Sequence, residues 1–443
     1  MRDERCPPDD GNHEEKKIRF ETQVLETRFD EKTSKWHVKI KDKSGKEEII
    51  VADAVISAVG QLNQPKLPDI PGVGSFKGPA FHSAQWRHDV ELAGKRVNVI
   101  GTGASAFQFV PAIAPIVKEM KVFQRTPPWL GPTPDYHEKV GEGKKWLLEH
   151  VPFYAKWYRF WIFWMMTDGI YEFVKSDPTW NGPENAVSPN NAMLREMLSA
   201  AIKPQPEDAP WLFDKIIPDY PFGGKRSVRD NGVWLAALKR QNVELVTEPI
   251  AEINANGIKT KGGKQYDADV LIYGTGFHAS NFLRTFKVYG RGGMELHNRW
   301  NGDARAYLGM TVPGFPNFFM IYGPNTNPFF NGLGVVEMEE MATRFALKCI
   351  GALIRQDRKA VDVTTEAYEK FNEELDRQEA TKIYSDERVT NYYKNDYGRS
   401  AVNCPIDVRL LWNWWLDPAD ENGTSKTADP LIRPYLGQDL RVD

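Results

Sequence analysis

The sequence predicts an α/β protein, and three observations carry that expectation. A strand, a glycine turn, a helix and a second strand follow one another between Arg96 and Gln124. An antiparallel meander precedes this unit, and a long stretch rich in Trp, Tyr, Phe, Pro and Met follows it. At 443 residues the chain holds about three units of roughly 150 residues, or two large ones. A composition of 41% hydrophobic and 26% charged residues supports a sizeable core and excludes wholesale disorder. Lys plus Arg number 57 against 60 Asp plus Glu, a formal charge of −3, so no nucleic-acid partner is expected.

Taken in chain order, Ile18 to Val24 alternate with polar residues, and Trp36, Val38 and Ile40 do the same before a turn at Asp42–Gly45 and a strand at Ile49–Val51. That is the pattern of an antiparallel meander. Ala54–Val59 is short and almost wholly apolar, as in a strand covered on both faces. Gly60 ends it, and Pro65 to Pro71 is a turn-rich linker. Arg96–Ile100 reads as a buried strand, Phe107–Lys118 as a helix despite Pro111 and Pro115, and Lys121–Gln124 as the next strand, parallel to the first. From Gly131 to Tyr220 a helical insertion is expected, with Trp157 to Met166 packing a small core of its own. Strand patterns return at Val243–Val246, Ile250–Ile258 and Ala268–Tyr273. Helices follow at Val336–Arg355 and Thr365–Ala380, and a polar surface tail comes after Pro418.

Cys6, Cys349 and Cys404 are too few and too far apart for a disulfide framework, a zinc knuckle or a CxxC pair, so no metal site is expected and a reduced, cytoplasmic compartment is. The first ten residues contain no apolar stretch of a secretory signal, and Asn422-Gly-Thr424 accordingly reads as a surface turn. Val151–Val174 resembles a membrane segment in its aromatics alone. Lys156, Arg159, Asp168 and Glu172 interrupt it, and membrane contact is not expected.

Gly101-Thr-Gly-Ala-Ser105-Ala106 follows a strand and opens a helix, the context in which a glycine turn binds a dinucleotide. Gly101 allows the tight turn, Gly103 lets backbone approach a pyrophosphate, and Ala106 permits close helix–strand packing. The helix N-terminus offers free N–H groups to the phosphates. An NAD site carries Asp or Glu at the end of the second strand. This chain has Gln124-Arg125-Thr126, and a guanidinium and a hydroxyl suit a 2′-phosphate, so the nucleotide expected is NADPH.

Phe76-Lys-Gly78-Pro-Ala-Phe-His82-Ser-Ala-Gln-Trp86 resembles the FxGxxxHxxxW fingerprint of Baeyer–Villiger monooxygenases, relatives of the flavin-containing monooxygenases. Arg87 stands where the family usually has Pro. Gln124–Trp129, Gly224-Lys225-Arg226, Tyr273–Phe277 and Gly323-Pro324-Asn325 resemble further family motifs in the family's order. Thr390–Ser400 is most similar to the 4-hydroxyacetophenone monooxygenase branch. The resemblance runs from Ile18 to about Pro418.

What the resemblance implies is two Rossmann-like dinucleotide-binding domains, for FAD and for NADP, with a helical insertion. The implied chemistry is insertion of one oxygen atom of O2 into a ketone by a peroxyflavin mechanism. Arg226 matches the active-site arginine, whose permanent charge stabilises developing negative charge. Lys225 matches a residue that reaches the 2′-phosphate with Arg125 and Thr126. His82 belongs to a hinge between the nucleotide domains and is a functional signature residue rather than the base. Gly60 and the pair Gly274 and Gly276, with Phe277, match two strand-end motifs close to bound cofactor. Thr22 and Val24 stand where backbone reaches the FAD adenine, and Gly323 and Pro324 nearer the flavin ring.

The implied organisation is the remainder of an FAD domain at 1–75, a hinge and the start of the NADP domain at 76–130, the insertion at 131–220, the end of the NADP domain at 221–275, the C-terminal part of the FAD domain at 276–417 and a tail at 418–443. The family begins with an FAD-binding strand–GxGxxG–helix that has no counterpart in residues 1–17. The chain is therefore expected to be truncated relative to the family, and to bind FAD poorly by itself. A homo-oligomer, or a partner chain supplying that unit, would complete it. A non-catalytic NADP-binding protein and a flavin monooxygenase acting on amines or sulfides are the alternative readings.

Overall fold

The computed structural model describes residues 18–167, 171–203, 209–330, 334–416 and 440–442. Cys6, Asp168, the Asn422 turn and most of the C-terminal tail lie outside the described residues.

The chain opens with strands β1 (Thr22–Asp30), β2 (Lys35–Asp42) and β3 (Glu47–Ala52), paired antiparallel as a meander. The first strand starts later than the sequence alternation suggests, and Phe20 is 82% exposed. Strand β4 (Val55–Ser57) follows, then β5 (Ala80–His82) and β6 (Arg96–Ile100). Helix α1 (Ala104–Ile113) begins directly behind Gly103, three residues before the expected start, because the glycine itself is the N-cap. Pro111 lies inside it. Strand β7 (Glu119–Phe123) completes the β-α-β unit, and β8 (Leu130–Pro132) leads into the insertion.

The insertion is mostly helical, with α2 (Glu142–His150), α3 (Tyr154–Thr167), α4 (Pro189–Ile202) and α5 (Phe213–Ile216). Helix α3 corrects an expectation. Trp157 is 61% exposed, and Phe160, Trp161 and Trp164 are exposed with it. Their rings contact one another along a single helix, as in the pairs Trp157–Phe160 and Phe160–Trp164, and so form no enclosed core.

The chain returns through β9 (Val228–Asp230), α6 (Val233–Leu238) and β10 (Val243–Val246). The expected single strand at 250–258 is a hairpin of β11 (Ile250–Asn254) and β12 (Gly257–Thr260), continued by β13 (Gln265–Asp267). Gly257, at φ +154°, leaves a Cβ only 2.1 Å from the Tyr266 carbonyl, so the tight crossing needs glycine. Then come β14 (Val270–Tyr273), β15 (Lys287–Tyr289), α7 (Leu296–Trp300), β16 (Phe318–Met320), α8 (Val335–Arg355) and α9 (Thr365–Glu379). Residues 440–442 pair with 361–363, so this end of the tail does lie on the body.

A five-stranded parallel sheet, ordered β10-β7-β6-β14-β5, forms one nucleotide-type unit. Its core includes Val97, Val99, Val110, Val122 and Ile272, all buried, each contributing on the order of 1.5–3 kcal/mol of transfer free energy. Phe107 of α1 stacks on Trp234 of α6 at 4.7 Å and fastens that layer. On the other side, β4 pairs in parallel with β16 alone. The sequence run at 54–59 was expected to be covered on both faces, yet Ile56 is 42% exposed, because β16 is β4's single partner among the described strands. No helix among the described residues is long and apolar enough to cross a membrane.

Candidate active site

Parallel strands β6 and β14 are neighbours, and each ends in a glycine elbow. The Gly101 N–H donates to the Phe123 carbonyl at 2.9 Å, and Gly274 N–H to the Ile100 carbonyl at 2.9 Å. Gly101 has φ +106°, and a Cβ there would lie 2.4 Å from the Gly274 carbonyl. A Cβ on Gly274 would in turn meet the Ala106 Cβ at 3.1 Å. Gly101, Gly274 and Ala106 thus pack as one unit that larger residues would force apart. Gly103 caps α1 without a side chain, and nothing lies within 4 Å of its Cβ position. Four free N–H groups of the helix, including that of Ser105, therefore face open space, the arrangement that accepts a pyrophosphate.

Strand β7 ends beside this cradle and delivers Arg125 and Thr126. Lys225, ninety-nine positions further on, donates from Nζ to the Thr126 hydroxyl at 2.9 Å. Its ammonium also sits 4.6 Å over the Tyr220 ring, whose hydroxyl donates to the Pro127 carbonyl at 2.9 Å. Burial, and then the charge of Arg125, hold the Lys225 pKa below the usual lysine range. Asp219 offsets this in part, and two cations kept close still favour an anion beside them. Arg125, Thr126 and Lys225 are brought together as the sequence reading expects, and they fit a 2′-phosphate.

The next residue, Arg226, keeps exposed surface and stands beside Tyr392, Tyr393 and Tyr322. Burial works against its charge. The neighbouring phenols, Tyr392 first and then Tyr393 and Tyr322, favour it, and the net pKa is raised. The charge is therefore permanent. Tyr322 is tied in turn by hydrogen bonds from Gln61 Nε2 at 3.1 Å and to Asn327 Oδ1. Phe329 and Phe330 close the aromatic side, Phe330 lying 5.2 Å from Phe222. Sequence reasoning assigned no role to Tyr392, Tyr322 or Gln61. The first lay within a quoted motif, whereas the other two are ordinary residues after strand ends, positioned only by the fold.

Gly60 follows β4 and Gly323-Pro324 follows β16, so the two parallel strands present these residues at one edge, where α/β sheets receive ligands. Gly60, at φ +66°, lies 4.0 Å from the Tyr322 ring by its Cβ position. Thr22 and Val24 pair with Asp42 and Ile40, while β15 covers Glu26–Arg28 on the other side of β1, so among the described residues the backbone edge at 22–24 has no second strand. These edges suit a flavin nucleotide lying along them.

His82 ends β5 opposite Tyr273 of β14 and is buried. Its Nδ1 accepts from the Ala84 N–H at 3.1 Å, so in the neutral ring Nε2 carries the proton. Nε2 is buried without a partner at hydrogen-bond geometry, and burial lowers the pKa against the Gly276 backbone, which raises it. The ring stands edge-on to Phe277 at 5.4 Å. His82 is thus seated against the Gly276–Phe277 turn that follows β14. Trp86 packs against Phe81 and Phe109 at 5.3 and 5.4 Å and anchors the hinge in the NADP-side core. Among the described residues no cluster of His, Cys, Asp and Glu could hold a metal. Cys349 and Cys404 are buried, and neither is in a disulfide among the described residues.

A family profile described as flavin-binding monooxygenase-like matches residues 12–131. A Baeyer–Villiger monooxygenase of Pseudomonas aeruginosa is 32% identical over 400 residues, which cover 90% of this chain and 72% of that protein. An uncharacterized monooxygenase of Sinorhizobium fredii, y4iD, is 35% identical over 400 residues and 90% of this chain, and the chain spans 60% of that relative's length. Among solved structures, OTEMO in complex with FAD and NADP superposes with a TM-score of 0.71 at 28% identity, covering 89% of this chain and 78% of the other.

Proposed function

Because the chain belongs to the Baeyer–Villiger monooxygenase family of flavin-binding enzymes, we propose that it serves an NADPH-dependent insertion of oxygen beside a ketone carbonyl. One atom of O2 enters the carbon–carbon bond to give an ester, the other leaves as water, and NADPH supplies the two electrons. The observation that carries this reading is the juxtaposition of Lys225 and Arg226. One reaches the Arg125–Thr126 anion site, and the next stands beside the tyrosines at the other nucleotide edge.

FAD, when bound, supplies the chemistry of oxygen activation and NADPH the hydride. The residues of this chain do the rest. Gly101, Gly103, Ser105 and Ala106 form the pyrophosphate cradle, with Arg125, Thr126 and Lys225 selecting the phosphorylated ribose. Gly60, Gly276, Phe277, Gly323 and Pro324, with the backbone at Thr22 and Val24, border the flavin side. Arg226 places a fixed positive charge where negative charge develops on oxygen. His82 couples the two edges and acts on position rather than on a proton in flight.

The test is product analysis with an aryl alkyl ketone, NADPH, added FAD and ¹⁸O2. An ester carrying one labelled oxygen per NADPH is expected. Oxygenation of a sulfide or amine with the ketone untouched would favour the other class of flavin monooxygenase, and no product with intact NADPH binding would leave a nucleotide-binding protein.

A further inference from the structure

Gly223 and Gly224 precede Lys225 and Arg226, and both meet the C-terminal half at distances that only glycine permits. A Cβ on Gly224 would lie 2.8 Å from Val389 Cγ1, and one on Gly223 would lie 2.8 Å from Val174 Cγ1 and 3.0 Å from Ile383 Cγ2. The loop that carries both functional cations is therefore seated directly on the segment around 383–391.

Asn391 stands at that seat, and its amide is fully used. Nδ2 donates to the Gly224 carbonyl at 2.9 Å and to the Tyr384 carbonyl at 2.9 Å. Oδ1 accepts from the N–H groups of Tyr393 at 3.0 Å and Lys394 at 3.2 Å. With both donors and both lone pairs committed, the side chain has one orientation. Two links run from it to the guanidinium of Arg226. One passes through Gly224, two residues earlier in the loop. The other passes through Tyr392, the next residue in the chain, whose phenol stands beside that guanidinium.

The segment is itself anchored. Lys394 Nζ donates to the carbonyls of Asp386 and Val389 at 2.7 and 3.0 Å. Arg399 reaches Asp303, Asn325 and the Ala304 carbonyl at 2.6, 2.9 and 2.6 Å. A rigid base of this kind transmits position where a mobile one would not.

We infer that Asn391 is a positioning residue, a clamp that fixes the Lys225–Arg226 loop to the C-terminal segment and sets both cations at once. The activity part of its test rests on the function proposed above, whereas the binding part does not. Asn391→Asp keeps the oxygen that caps the turn at Tyr393 and Lys394 and deletes both donors. Asn391→Ala deletes the whole amide. Gly224→Ala drives the same loop off Val389 without touching Asn391.

The readouts are the ratio of NADP⁺ to NAD⁺ affinity by titration, and hydrogen peroxide released per NADPH consumed in the presence of ketone. All three variants are expected to lose about tenfold in the affinity ratio and to release several times more peroxide, since small displacements of a positioning group carry large costs. Melting temperatures report folding separately. An Asn391→Asp protein with wild-type ratio and coupling, beside a defective Asn391→Ala, would reduce the amide to a turn cap and overturn the inference. If the Asn391 variants do not fold, a wild-type affinity ratio in Gly224→Ala overturns it equally. A wild type that oxygenates no ketone would defeat the proposed function, while the affinity ratios would still decide the role of Asn391.

Discussion

The NADP edge and the FAD edge of this molecule are built to different degrees of closure. On the first, strand, elbow, helix N-terminus and three phosphate ligands all come from described residues, and the glycines are locked against one another at 2.4 and 3.1 Å. On the second, Gly323 is locked as firmly, a Cβ there lying 2.2 Å from the Gly309 carbonyl, whereas Gly60 meets the Tyr322 ring at 4.0 Å and Ile56 is exposed beside it. A cradle whose parts pack on each other is specified by steric exclusion, and a single added methyl reports on it. A turn such as that at Gly60, with its nearest neighbour at van der Waals distance, is specified less by steric exclusion and more by what lies along it.

Arg226 belongs where the two edges meet, so its removal gives the largest effect. Arg226→Ala should lower ketone oxygenation by about 10²–10³-fold, the range for loss of one preorganised charge partner, with NADP⁺ affinity nearly unchanged. Equal losses in binding and turnover would place the guanidinium on the NADP side alone.

Next comes the phosphate site. Arg125→Ala combined with Lys225→Ala should cut the preference for NADP⁺ over NAD⁺ by about 10–100-fold, from loss of charge-assisted hydrogen bonds worth roughly 1.5–3 kcal/mol each, partly compensated by water. Isothermal titration with both nucleotides measures it.

The sharpest comparison between the edges is a matched pair of methyl additions. Gly101→Ala sets a Cβ against the Gly274 carbonyl at φ +106° and should cost about 1–3 kcal/mol of stability. Gly60→Ala, at φ +66° with its one neighbour at 4.0 Å, should cost the left-handed strain alone, about 1–2 kcal/mol, with no steric clash added. Thermal denaturation of the two variants would blur the distinction if the costs came out equal.

The smallest effect is a pH slope. Burial and Arg125 both disfavour charge on Lys225, so its ammonium is lost at lower pH than that of an ordinary lysine. The preference for NADP⁺ should therefore decline as pH rises, with the decline beginning below the usual lysine value of about 10.4. Lys225→Arg, which keeps its charge, should flatten the decline.

The difference between the edges also sets what the sequence makes legible. Arg96–Ile100 and the elbow behind it are local: strand, turn and helix are consecutive, so apolar pattern and glycine spacing specify them together. Arg125, Thr126 and Lys225 need the family motifs as well, because nearly a hundred residues of insertion separate them. Tyr322 and Gln61 were invisible, since each acquires its partner only when β4 and β16 align. The aromatic run in α3 misled for a related reason. Side-chain chemistry announces burial, but only an opposing layer provides it, and the rings of Trp157, Trp161 and Trp164 have none among the described residues.

A crystal structure with NADP⁺ bound tests the central arrangement most directly. The account predicts the pyrophosphate over the N-terminus of α1, the 2′-phosphate within hydrogen-bonding distance of Arg125, Thr126 and Lys225, and the nicotinamide end directed toward Arg226 and Tyr392. A nucleotide bound elsewhere, or one whose 2′-phosphate projects into solvent away from Lys225, would contradict it.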